Sequence, residues 1–193
     1  MRLFVALDLD PAIRERLALF LDGVREFAPE ARWARAESLH LTLKFIGEMD
    51  AARLEEVRGA LAQVGGGASE VRVRGTGFFP TAKSARVFWV GVAADAKLAA
   101  LARAVDDLLG PLGVEREQRA FSPHLTLART GSGRPSRGRE DRSNANFHRL
   151  QDKLAAMPEP DFGAMTPREF FLYQSKLSPA GAQYTKLAGF PLR

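Results

Sequence analysis

The chain contains one four-residue sequence twice, and this repeat constrains the fold more than any other feature. His40-Leu41-Thr42-Leu43 recurs as His124-Leu125-Thr126-Leu127, although the chain has only three histidines among its 193 residues. At average residue usage, a given histidine precedes Leu-Thr-Leu about one time in a thousand, so coincidence explains the repeat poorly. Each copy reads as a strand that a helix follows, directly or after a polar segment. We therefore expect a duplicated unit and two lobes related by an approximate twofold axis.

Hydrophobic patterning mixes hairpins with helices along the chain, which is typical of an α+β fold. Strands are predicted over residues 2–9, 40–46, 70–78, 85–92, 114–117, 124–130, 168–177 and 182–190. Helical spacing of apolar residues predicts helices over residues 11–27, 50–64, 95–109 and 145–156. Trp33 is expected in a connecting segment. Residues 131–143, which are rich in glycine and arginine, are expected to form a mobile loop.

Side chains alternate between the two faces of a strand, so each copy of the repeat has two different faces. The two leucines of a copy share one face and can be buried against helices. The histidine and threonine share the other face and are expected to line a cleft. By the same alternation, Lys44 shares the face of His40 and lies at the edge of the cleft.

Composition excludes several classes of protein. The chain has no cysteine, so it has no disulfide, thiolate metal site or cysteine nucleophile. Asp8 and Asp10 interrupt the first apolar run too early for a signal peptide, and no uninterrupted apolar stretch approaches about 18 residues. We expect a soluble, cytoplasmic protein. The net charge of +5 favours an anionic partner, although it also serves solubility.

Two histidines and two threonines form a set suited to phosphodiester chemistry. With an ordinary pKa of about 6.5, one imidazole can accept a proton while the other donates one. Threonine hydroxyls can donate hydrogen bonds to phosphate oxygens in the transition state. A metal site needs three or four ligands, and neither histidine has a carboxylate beside it in its motif, so no metal or cofactor is expected. The competing interpretation, interior histidines beside strand-forming threonines, explains the exact repeat poorly.

These residues resemble the 2H phosphoesterase superfamily, which is defined by two His-x-Thr-x motifs. Within it, the chain is similar to the bacterial and archaeal RNA 2′,3′-cyclic phosphodiesterases, historically called 2′–5′ RNA ligases. The resemblance spans nearly the whole chain. The segments that carry it are residues 2–8, Trp33, 40–47, 77–80, 86–91 and 121–129.

The resemblance implies a single bilobal domain over residues 1–193. Each lobe would be a mainly antiparallel sheet with helices on its outer face, and the cleft would lie between the lobes. The implied reaction opens a 2′,3′-cyclic phosphate at the end of an RNA to a 2′-phosphomonoester. His40 would donate a proton to the departing O3′ and His124 would deprotonate water, while Thr42 and Thr126 would contact the phosphate.

Three further residues are candidates for contact with the substrate. Arg129 matches an arginine often found after the second motif, but strict alternation turns it away from His124 unless the strand ends or bulges. Phe45 and Phe79 could stack on a base, although aromatic residues in strands more often belong to the core. His148, the third histidine, is expected on the surface.

Several alternatives stay open from the sequence. The same site could join RNA ends through a 2′–5′ bond, or open another small cyclic phosphate. A non-catalytic RNA-binding module would instead rely on net charge and on the segment 131–143, which could steer RNA or be a surface insertion. We expect a monomer whose partner is an RNA with a 2′,3′-cyclic phosphate end.

Overall fold

The computed structural model describes residues 1–130, 140–178 and 181–192. Its strands are β1 Arg2–Leu7, β2 Arg32–Trp33, β3 Leu41–Glu48, β4 Val71–Phe79, β5 Val87–Ala94, β6 His124–Arg129, β7 Asp161–Met165, β8 Glu169–Ser178 and β9 Gly181–Pro191. Its α-helices are α1 Pro11–Val24, α2 Leu54–Leu61, α3 Ala96–Leu109 and α4 Glu140–Ala155. Short 3-10 turns occupy residues 25–27, 36–38, 51–53 and 110–112.

The strands form two antiparallel sheets with matching layouts. The first sheet has the order β3-β1-β8-β9, and the second has the order β2-β6-β5-β4-β7. In each sheet, the strand that carries the repeated motif pairs with an earlier strand, and a helix lies between the two in the chain. The pairs are β3 with β1 and β6 with β5. The α+β prediction is confirmed, and the sheets follow the duplication read from the sequence.

Two helices cross from one sheet to the other. Helix α1 leaves β1 of the first sheet but packs on β7 of the second, where the rings of Phe20 and Phe162 lie 5.2 Å apart. Helix α3 leaves β5 of the second sheet and packs against β3 of the first. One continuous cluster of buried apolar residues therefore includes strands of both sheets. This exchange fixes the position of each motif strand relative to the other.

Lys44 joins β3 to α3 below the surface; it does not share the face of His40 as predicted, but it lines the same open groove as Thr42. Its side chain is only 7% exposed, and its ammonium group donates hydrogen bonds to the Asp106 carboxylate and to the Glu115 carbonyl. Burial alone would raise the pKa of Asp106, but the hydrogen bonds from Lys44 and from the Glu117 amide hold that pKa below its ordinary value. Asp106 therefore stays ionised beside the buried ammonium at neutral pH.

Four features of the secondary structure differ from the prediction. Trp33 belongs to β2, an edge strand of two residues, which is too short for any periodicity to reveal. Residues 114–117 form no strand, and β7 was not predicted. Helix α4 begins at Glu140 rather than near 145, because its polar first turns resemble a loop. The rest of the predicted loop, residues 131–139, lies outside the described residues.

No helix in the described parts of the chain is long and apolar enough to cross a membrane.

Gly77 allows the indole of Trp89 to lie across β4, and this contact yields a prediction for stability. A Cβ atom at Gly77 would lie 2.2 Å from Cζ2 of Trp89, its partner in the β4–β5 pairing. We expect Gly77→Ala to displace the ring and to lower the free energy of unfolding by about 1–3 kcal/mol. Urea denaturation followed by tryptophan fluorescence measures the change.

Gly59→Ala is the matched control. Gly59 lies in α2 with nothing within 4 Å of an added Cβ, so the same substitution should stabilise the protein by about 0.5–1 kcal/mol. Equal effects of the two substitutions would contradict the proposed close approach at Gly77.

Candidate active site

Both motif strands contain a β-bulge at the second leucine of the repeat. In β3, Thr42 pairs with Ala6 and Lys44 with Val5, so Leu43 is the extra residue. In β6, Thr126 pairs with Trp89 and the next pair is Ala128 with Phe88, so Leu127 is the extra residue. A bulge reverses the alternation of every side chain that follows it.

The bulges change the face of the strand on which the following side chains lie. After Leu43, Lys44 turns towards α3, and Phe45 turns to the face that carries Thr42. After Leu127, Arg129 pairs with Val87 and returns to the face that carries Thr126. Strict alternation therefore gives the wrong face for Lys44. For Arg129, the bulge that the prediction required is present. Phe45 and Arg129 occupy equivalent positions, five residues after their histidines.

The two histidines are anchored in the same way. Nδ1–H of His40 donates to the Ser38 carbonyl at 2.8 Å, and Nδ1–H of His124 donates to the Ser122 carbonyl at the same distance. Since a carbonyl oxygen only accepts, each bond assigns the proton to Nδ1 in the neutral ring. Nε2 of each ring is thereby left to exchange a proton with a ligand.

His40 lies among aromatic rings. Its ring centroid is 4.6 Å from that of Phe4, 5.0 Å from Tyr184 and 6.2 Å from Tyr173. This burial lowers the pKa of His40 below its ordinary value, which the hydrogen bond to Ser38 and the charge of Asp8 oppose in part. Without a ligand, His40 is therefore biased towards its neutral form.

Polar contacts hold the surroundings of His40 in place. The Arg14 guanidinium donates to the carbonyls of Ala36 and Leu39, which lie in the segment leading to His40. The Tyr173 hydroxyl donates to Asp8, and Lys186 forms an ion pair with the same carboxylate at 2.5 Å. Burial and this hydrogen bond raise the pKa of Tyr173, so its hydroxyl keeps its proton.

His124 lies in a more open setting. Its ring meets the edge of Phe79 at 5.0 Å and approaches Trp89 at 6.5 Å between centroids. Phe79 and Trp89 also pack on each other, 5.0 Å apart. Gly77 therefore supports His124 indirectly, because it determines where the Trp89 ring lies.

An open groove of about 1200 Å³ is lined by residues of both motif strands. Thr42 from β3 and His124 at the start of β6 both line it, whereas His40 and Thr126 do not. Phe45 and Phe79 also line the groove, and Phe45 is 61% exposed there. The strands β3 and β6 approach each other, although they do not pair.

The charge of Arg129 acts on Tyr184, which packs against His40. Burial raises the pKa of the Tyr184 hydroxyl, and the positive charge of Arg129 opposes this rise. Tyr184 in turn meets His40 edge-on. The positive charge of Arg129, like that of Arg2, thus acts on one residue of the aromatic cluster around His40.

Sequence reasoning missed the aromatic residues around His40. Phe4 comes from β1, whereas Tyr173 and Tyr184 come from β8 and β9 near the other end of the chain, and β1 lies beside β8 only in the folded sheet. A weak signal exists, because Phe171 and Tyr173 alternate with the buried Phe170 and Leu172. That alternation indicates a second aromatic face, but not its proximity to His40.

One candidate residue, His148, and the question of a metal site remain. His148 is exposed on α4, as expected, and faces Asp152 at 3.2 Å. Within residues 1–130, 140–178 and 181–192, no three His, Asp or Glu side chains are arranged to hold a metal ion.

Known proteins share this architecture and sequence. An RNA 2′,3′-cyclic phosphodiesterase of Archaeoglobus fulgidus is 34% identical, over 98% of this chain and 99% of its own. A crystal structure of LigT from Escherichia coli complexed with 3′-AMP superposes with a TM-score of 0.76 at 27% identity, covering 99% and 97% of the two chains. A protein of Thermus thermophilus gives a TM-score of 0.78 at 28% identity, covering 100% and 98%.

The model of one family, described as LigT like Phosphoesterase, matches the chain twice. The matches cover residues 7–89 and 90–184, so each contains one copy of the repeated motif. Because the two matches together span most of the sequence, the chain belongs to the LigT-like phosphoesterase family.

Proposed function

We propose that this phosphoesterase opens a 2′,3′-cyclic phosphate at the 3′ end of an RNA and leaves a 2′-phosphomonoester. The names of its relatives support this substrate. The observation that carries the chemistry is the shared anchoring of two histidines. Both rings are anchored through Nδ1–H, which leaves both Nε2 atoms to exchange protons.

The proposed reaction is a single displacement at phosphorus. Nε2 of His124 accepts a proton from water as the water oxygen forms a bond to phosphorus. The bond from phosphorus to O3′ breaks, and Nε2 of His40 donates a proton to that oxygen. The phosphate stays on O2′. After the step, His124 carries the proton taken from water and His40 has given up its own. Exchange of protons with solvent restores the starting state of both rings.

The other cleft residues stabilise charge in this scheme. Hydroxyls of Thr42 and Thr126 donate hydrogen bonds to the non-bridging oxygens, whose charge grows in the transition state. Arg129 adds a permanent positive charge on the same face as Thr126.

Because its surroundings favour the neutral ring, His40 needs the bound substrate to become a proton donor. Burial favours its neutral form, yet a proton donor must be charged. The negative charge of a bound phosphate favours the imidazolium and raises the pKa of His40. Binding of the anionic end thus prepares the acid, and a neutral ligand would leave it unprotonated.

Loss of either histidine tests the reaction. We expect His40→Ala and His124→Ala each to lower kcat by about 10²–10⁴, since each general acid–base contribution is of that size. The assay uses an RNA ending in 2′,3′-cyclic phosphate, with EDTA present, and identifies the position of the phosphate in the product.

His148→Ala is the matched control, because His148 is exposed on α4 and should leave kcat unchanged. Full activity of the double variant lacking His40 and His124 would refute the assignment. A 2′–5′ joined product from two RNA fragments would instead support the reverse reaction.

The pKa of His40 tests whether burial among the aromatic rings lowers it. Tyr184→Ala admits water to the ring, so the pKa of His40 should rise towards about 6.5, whereas Tyr184→Phe keeps the ring and should change it little. NMR titration of the free protein, with the signal assigned from a His40→Asn variant, measures the shift. A fall in that pKa on Tyr184→Ala would contradict desolvation as its cause.

Phe45 is the strongest candidate for contact with the nucleobase, since its exposed ring lines the groove beside Thr42. We expect Phe45→Ala to raise KM about 5- to 150-fold, the equivalent of about 1–3 kcal/mol of stacking, with a small change in kcat. The effect should vanish on a ribose 2′,3′-cyclic phosphate that lacks a base. Leu19→Ala removes another exposed apolar side chain on α1 and should leave KM unchanged.

A further inference from the structure

The two motif histidines lie opposite different residues of the neighbouring strand. The register of β1 and β3, continued by one pair beyond Leu7 and Leu41, sets Asp8 opposite His40. In the second sheet, the corresponding pair is Gly91 with the histidine that begins β6. Residues directly opposite each other in an antiparallel pair carry their side chains on the same face. A carboxylate therefore accompanies the first imidazole at the position where the second has only a glycine.

Two contacts hold the Asp8 carboxylate in place. The Tyr173 hydroxyl donates to Oδ1, and the Lys186 ammonium group lies 2.5 Å from Oδ2. The ring of Tyr173 is itself stacked towards His40, with 28° between the two ring planes. The side chain of Asp8 is only 33% exposed, so water screens its charge incompletely. The carboxylate is thus fixed beside the imidazole and cannot simply turn out into solvent.

The second lobe has no room for an equivalent side chain. A Cβ atom at Gly91 would lie 2.9 Å from the Arg74 carbonyl oxygen and 3.5 Å from Cζ3 of Trp89. The nearer of these atoms belongs to the backbone of β4, which cannot move aside without disturbing the sheet. The difference between the two lobes is therefore fixed by packing as well as by the identity of one residue.

Charges of both signs act on His40 from the elements packed against it. Burial lowers the pKa of His40, the hydrogen bond to Ser38 and the charge of Asp8 raise it, and the charge of Arg14 lowers it. A nearby negative charge favours the imidazolium, which is the form that donates a proton. The other titratable or charged groups that face the ring or its neighbours are Tyr173, Tyr184, Lys186 and, through Tyr184, Arg2 and Arg129.

We propose that Asp8 is a positioning residue whose carboxylate, fixed opposite His40, keeps that imidazole as the proton donor and so sets the direction of proton transfer. Asp8 acts through His40 and takes part in no bond that forms or breaks. The proton of His40 goes to O3′, and His124 takes one from water. Since Gly91 leaves the position opposite His124 without a side chain, the second ring serves as the base. This inference rests on the proposed function for the reaction and adds a residue outside both motifs.

Asp8→Asn tests the charge, because the amide keeps an acceptor for the Tyr173 hydroxyl. The pKa of His40 should fall. At pH values above that pKa, kcat/KM on an RNA ending in 2′,3′-cyclic phosphate should drop at least about threefold, since fewer rings carry the proton. At pH values below it, both proteins hold the proton and the ratio of their kcat/KM values should approach one. A purely structural role would lower activity equally at every pH.

Lys186→Met should shift the profile in the opposite direction. It removes the cation that offsets the carboxylate, while the Tyr173 hydroxyl still holds Asp8. The pKa of His40 should then rise, and kcat/KM above that pKa should exceed the value of the unchanged protein. Asp10→Asn is the matched control, because Asp10 is exposed and its side chain makes no capping hydrogen bond to α1. It should change neither the pKa nor the profile.

NMR titration of His40 in the free protein separates this inference from the proposed function. A pKa of His40 that Asp8→Asn leaves unchanged would overturn the inference, while hydrolysis of the cyclic end would leave the proposed function standing. If Asp8→Asn does not fold, an unchanged or lowered pKa in Lys186→Met overturns it equally. If both shifts occur but no cyclic phosphate is hydrolysed, the proposed function fails and the coupling of Asp8 to His40 stands.

Discussion

The site depends on one backbone irregularity that occurs twice, the β-bulge at the second leucine of the repeated motif. Without it, alternation would place Phe45 on the buried face of Leu41 and Arg129 on the buried face of Leu125. With it, Leu43 and Leu127 stay buried while the next side chains change faces. The bulge therefore lets a single short strand bury its leucines in the core and still carry three other side chains on its opposite face. The cost in ladder hydrogen bonds is local, since pairing resumes on both sides of the extra residue.

Equivalent backbones carry different side chains in the two lobes, and this difference can set the direction of a substrate. The first motif places an aromatic ring at the position where the second places a guanidinium group, and Phe4, Tyr173 and Tyr184 surround His40, whereas His124 opens onto the groove. A twofold arrangement with identical walls would bind a nucleotide equally in both orientations. An apolar wall opposite a cationic one removes that ambiguity, because a base and a phosphate prefer opposite sides.

Much of this could be predicted from the sequence, and the failures have a common cause. The repeat was sufficient to predict two equivalent motif strands, and the mixture of hairpins and helices was sufficient for the fold class. Alternation failed at Lys44, because nothing in a leucine marks it as the extra residue of a bulge. The crossing of α1 and α3 was equally hidden, since an amphipathic pattern shows that a helix buries one face but not which sheet covers it.

Because α3 crosses between the sheets, it packs against the strand β3 of the first motif and also lines the groove. The same helix presents Arg103 to the groove and holds β3 from behind through the buried pair of Asp106 and Lys44. Lys44 is two residues from Thr42, so the strand that carries Thr42 is fixed to a helix that lines the same groove. Removing one partner of a buried ion pair costs about 3–5 kcal/mol because it leaves a buried charge uncompensated, so Lys44 and Asp106 restrict how β3 and α3 can lie against each other. A ligand bound in the groove would therefore meet Thr42 on a strand already held in position, and none of its binding energy would be needed to order that strand.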